Sequence, residues 1–271
     1  MKSREKPSTS HASEVVQFSQ NWQLVRPEHL PSLFYAYDSK EEQSERLVTF
    51  ELEVDDLAKL YKSANSKTSN KLEFIVHLGV TEVEIPRRIP NVPIFTFFIQ
   101  ASEKKDDFKE DCFQMTWAPN ARFTNGEADN ANSGQNAIPA ASAYLFVMSW
   151  MELPERDLAT PFTAVSHVLG KRVKNYRFSN AESLSILKDI GQSLSSRAPG
   201  LHIHLGNGLA VYDHPFSFRP VIEVRHAVKV HEDGSMVEPE SGGRNTTGLL
   251  NDHGDSFYDF GAPEPPPQPE G

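Results

Sequence analysis

The amino-acid sequence predicts an α+β fold, a mixed or mainly antiparallel sheet with several flanking helices between disordered N- and C-terminal tails. Three observations predict it. Strand-like apolar runs crowd residues 71–117, amphipathic helical stripes lie on either side of them, and an Asn-Gly hairpin signal follows Gly200. At 271 residues the chain is long enough to bury a self-sufficient core, and its 38% apolar content is low because the ends are polar.

Residues 1–13 read as a polar tail, and a single globular domain is expected over 14–230, with possible halves 14–119 and 137–230 joined by a polar loop over 120–136. Ser39 and Glu42 have capping-box spacing for a short helix over 41–46, and LVTFELEV after it alternates like a strand. VDDLAKLYKSA places Asp55 and Asp56 at the positive end of a helix whose Leu57, Leu60 and Tyr61 share one face. LEFIVHL, TEVEI, PIFTFFIQ and CFQMTW then read as separate strands, with prolines 86, 90 and 93 between them.

In the second half, AASAYLFVMSWMEL is apolar all round and predicts a buried helix after Pro139. Thr160-Pro161 predicts another helix, reaching Lys171. Ser179 and Glu182 form a second capping box before a stripe of Leu184, Leu187, Ile190 and Leu194. Beyond Pro215, Phe216, Phe218, Ile222 and Val224 alternate with Arg219, Glu223 and Arg225, the pattern of a sheet covered on one side only.

The net charge of −10 is not evenly spread. Residues 231–271 hold nine acids against Arg244, so this Pro/Gly-rich tail carries nearly all of it and the body is close to neutral. No basic stripe with interleaved aromatics supports nucleic-acid binding, and no apolar run is long enough to cross a membrane. A soluble, cytoplasmic protein is expected. The single cysteine, Cys112, lies in a strand-like run and reads as a buried thiol.

The strongest chemical signal is the pair His202 and His204. Alternation along a strand puts both imidazoles on one face. A two-residue turn at Asn207-Gly208 would place His202 opposite Asp213, so that His202, His204 and Asp213 make a two-histidine, one-carboxylate set suited to zinc or iron, with His214 or His226 close by. The same residues also suit an ordinary polar sheet face. A three-residue loop including Gly206 would disperse the cluster. His226 and His77 read as core histidines, His167 as a solvent-facing or interface one, and the tail carboxylates near Asp252 as a solvated charge run.

Phosphate-loop, dinucleotide, nucleophile-elbow, HExxH and CxxC motifs are all missing. Two functions fit what remains. One is a protein-interaction or adaptor role, in which Phe257, Tyr258 and Phe260 of the acidic tail dock on another protein or fold back onto the body. The alternative is a metal-dependent enzyme acting on a small molecule through His202, His204 and Asp213.

Overall fold

Strand Glu73–Val83 runs unbroken for 11 residues where two shorter strands were expected, because Gly79 joins them. A Cβ at Gly79 would lie 2.7 Å from the Phe98 ring, so only glycine lets that ring cross the strand and stack on Phe18, with centroids 5.5 Å apart. The computed structural model describes residues 9–10, 12–38, 43–83, 92–103, 111–119, 138–163, 172–196, 199–208, 216–225, 256–259 and 262–264.

Six strands pair antiparallel in the order β1 (Thr9–Ser10), β7 (Cys112–Gln114), β6 (Val92–Ser102), β5 (Glu73–Val83), β9 (Asn175–Arg177) and β13 (Ala262–Glu264). A second antiparallel sheet has the order β12 (Ser256–Asp259), β11 (Val221–Arg225), β10 (Gly200–His204), β4 (Thr49–Glu51) and β8 (Thr116–Trp117). The expected strand CFQMTW therefore splits, and Met115 sits where the chain passes from one sheet to the other. Hairpin β2 (Tyr35–Asp38) and β3 (Gln43–Arg46) stands apart. The helices are α1 (Ala12–Leu24), α2 (Val54–Asn65), α3 (Ala140–Glu152) and α4 (Asn180–Leu194).

One core holds the sheets together. Phe74, Val76 and Leu78 of β5, with Phe95, Phe97 and Ile99 of β6, share it with Phe50, Leu201, Ile203, Ile222, Val224 and Tyr258 of the second sheet. Phe50 meets Phe97 edge-on at 5.2 Å. Each such side chain contributes about 1.5–3 kcal/mol of transfer free energy. Strands from before and after residues 120–136 pair directly, β5 with β9 and β4 with β10. On its other face the first sheet packs Phe98 and Cys112 against Val15 and Phe18 of α1. Across the second sheet, α3 lays Ala143 and Phe146 over Val221 and Phe257. That sheet is thus covered on both faces, against the one-sided pattern expected from its alternation.

Other expectations need correction. Residues 43–46 are a strand, not a helix. In that conformation Arg46 pairs across from Tyr35 and sends its guanidinium to the carbonyls of Trp150, Met151 and Leu153 at 2.7–2.9 Å, satisfying the open C-terminal end of α3. Helix α3 is not buried all round, because Leu145 and Met151 are exposed. Only a 3-10 turn, Thr160–Phe162, is seen from the helix expected at 160–171, whose residues 164–171 lie outside the described ones. The capping box of α4 forms as expected, but its buried face is Ser183, Ile186, Asp189, Ile190 and Ser193, and Leu184 is exposed. Within the segments read as tails, Thr9–Ser10 pairs as β1, and Ser256–Asp259 and Ala262–Glu264 pair as β12 and β13. Their sequences are too polar to form a core alone, yet backbone pairing needs no core of their own.

Candidate metal centre

Leu201 and Ile203 turn into the core, so the pleat of β10 sends His202 and His204 to the opposite face. Their neighbours are not those expected from the sequence. Both edges of β10 are occupied, with His202 opposite Glu51 of β4 on one side and Glu223 of β11 on the other. The pairing continues past His204, since Asn207 bridges Phe218 in the same register. Asn207-Gly208 is therefore part of the ladder and not the hairpin turn. Gly206 explains the close fit there, because a Cβ on it would lie 2.2 Å from the carbonyl oxygen of Arg219. Asp213, His214, His226, His167 and Phe260 lie outside the described residues.

The carboxylate that meets the two imidazoles is Glu223. Its Oε2 accepts from His202 Nδ1 and His204 Nε2, both at 2.9 Å, and lies 3.4 Å from Arg225 Nε. One ligand atom from each of His202, His204 and Glu223 falls within 4.8 Å of the others, and all three side chains are buried, so the group can hold a metal ion. Strand β4 supplies an oxygen to the far side of each ring. Thr49 Oγ1 is 2.9 Å from His204 Nδ1, and Glu51 Oε2 is 3.8 Å from His202 Nε2. Such outer partners fix the tautomer and orientation of metal-binding histidines.

The electrostatics favour an ionised carboxylate and a neutral His204. Burial opposes charge on Glu223, but hydrogen bonds from His202 and His204, with the charge of Arg225, outweigh it and hold the carboxyl well below its usual range. Burial pushes the His204 imidazole down, and the hydrogen bond to Glu223 offsets only part of that. With Glu223 accepting, Nε2–H of His204 donates to it and Nδ1 accepts from the Thr49 hydroxyl, a tautomer assigned from these partners. A metal on Nε2 would reverse that tautomer. Thr49, both donor and acceptor, serves either state.

Elsewhere His77 is a buried histidine bonded to Gln100, as expected, and Cys112 is buried and in no disulfide. Phe257 and Tyr258 both lie on a paired strand. Strand β12 adds to the edge of β11, Tyr258 buries its ring in the core and donates to Asp189, and Phe257 lies beside Glu223 in the register under α3. Phe257 thus walls the histidine face. Glu223 was legible as a member of the polar side of its strand, but the Asn-Gly signal assigned β10 the wrong partner.

No family model, curated protein or solved structure matches the chain. Among the described residues no helix is long and apolar enough to cross a membrane.

Proposed function

We propose that this chain is a metal-dependent enzyme acting on a small molecule, with zinc or ferrous iron held by His202, His204 and Glu223. The observation that carries this reading is the convergence of two buried imidazoles and one buried carboxylate on a single point. Histidine and carboxylate ligands suit either ion, and three protein ligands leave a coordination position open. A bound ion would supply Lewis acidity or an activated water at that position. The chain's own residues do the rest: Thr49 and Glu51 orient the rings, and Phe257 with α3 keeps bulk water from the face of the sheet. A reducing cytoplasm suits ferrous iron and a single cysteine outside any disulfide.

Elemental analysis of protein purified from zinc- and iron-supplemented cultures tests the reading. Near-stoichiometric metal is expected in the wild type and its loss in Glu223→Gln and His204→Ala variants that retain the native circular dichroism. Sub-stoichiometric metal in the wild type would reduce the three residues to a hydrogen-bonded triad that stiffens the sheet.

A further inference from the structure

Arg225 sits at the end of β11, on the same face as Glu223 and two residues beyond it. Its Nε is anchored 3.4 Å from Glu223 Oε2, whereas its terminal amino groups make no hydrogen bond among the described residues. A third of its side chain is exposed, in contrast to the buried triad beside it. Directly across the ladder is Gly200. A Cβ there would sit in ordinary van der Waals contact with Arg225 Cβ and Cδ at 3.6 Å and His202 Cε1 at 3.7 Å, so glycine leaves a methyl-sized gap beside the arginine stem and puts no side chain in front of the guanidinium. The guanidinium fork consequently flanks the most solvent-open side of the triad, where Glu51 is also half exposed.

We propose that the solvent-facing fork of Arg225 binds the carboxylate of a small monoanionic ligand next to the metal. The inference rests on the metal reading above and names its substrate class. Planar two-pronged donors match a carboxylate, and anchoring through Nε leaves the terminal prongs pre-aimed. The charge favours one negative charge over two. A divalent ion and Arg225 contribute three positive charges, Glu223 and Glu51 remove two, and the neutral imidazoles add none. One positive charge is left for the ligand to neutralise.

Cobalt(II)-loaded protein provides the test, because its visible spectrum reports ligands entering or neighbouring the coordination sphere. Acetate is expected to shift that spectrum saturably. In Arg225→Met the acetate dissociation constant is expected to rise by about tenfold or more, the loss of a charge-assisted hydrogen bond, with cobalt stoichiometry unchanged. Arg225→Lys, which keeps the charge without the fork, is expected to fall between the two and carries the test if the methionine variant does not fold. Equal acetate affinity in the wild type and the variants overturns the proposal while leaving the metal site standing. Arg225-dependent binding of inorganic phosphate more tightly than acetate overturns the monoanion assignment. Failure of the wild type to take up cobalt overturns the metal reading and this inference together.

Discussion

Buried histidines occur on the covered outer faces of both sheets, and they are satisfied in different ways. On the first sheet His77 Nε2 meets the amide oxygen of Gln100 at 3.0 Å. On the second, two imidazoles share one carboxylate oxygen, with a guanidinium at its flank. An amide oxygen accepts a hydrogen bond from a ring without bringing charge into the interior. A carboxylate brings a full charge, which must be compensated, and that same requirement lets the place hold a cation.

Breaking the second arrangement has the largest expected effect. Glu223→Ala leaves two inward-facing rings and Arg225 without their common acceptor, and a loss of about 3–5 kcal/mol is expected in urea unfolding of the metal-free protein. Added zinc sharpens the contrast next. At about 100 times its dissociation constant it is expected to stabilise the wild type by about 2.7 kcal/mol. His77→Leu keeps that response and Glu223→Gln loses it. Gln100→Ala removes only a neutral acceptor, for an expected loss of about 1–3 kcal/mol, and a loss equal to that of Glu223→Ala would break the comparison. Thr49→Val, which deletes the far partner of His204, is expected to cost about 1 kcal/mol while weakening zinc binding about 10- to 100-fold.

The smallest effect concerns the phenol of Tyr258, beside the site on β12. Burial raises its pKa, and the hydrogen bond to Asp189 raises it further. The folded state therefore favours the neutral phenol. Its stabilising contribution is complete below the ordinary value of 10.0 and is lost as pH rises above it. The wild-type melting temperature is expected to fall more steeply above that pH than that of Tyr258→Phe, which itself costs about 1 kcal/mol at neutral pH. Identical alkaline limbs would show that the phenol is not held by the fold.

Local signals were legible wherever a single element decides its own structure. The Ser179–Glu182 box starts α4, Asp55 and Asp56 open α2, and the alternation of Phe216, Phe218, Ile222 and Val224 correctly chose the core face. Signals failed where a distant element decides. Residues 43–46 take the strand that lets Arg46 reach α3, and Leu184 is left outside because Asp189, on the inner face of α4, meets Tyr258 from the far end of the chain. The site followed the same rule. His202 and His204 were found from their spacing alone, which depends only on the pleat. Their carboxylate depends on which strand fills the β10 edge, and periodicity carries no information about pairing partners.

The placement of residues 256–264 has a consequence for how the protein is made. Strand β12 completes one sheet and β13 the edge of the other, so both sheets wait for the same late stretch of the polypeptide. Pairings of such long sequence separation form slowly, and a nascent chain stopped before them would leave β11 and β9 as bare hydrogen-bonding edges. The imidazole face would then lack its Phe257 wall until translation had passed Glu264. A fully walled imidazole face thus reports that residues 256–264 are already in place.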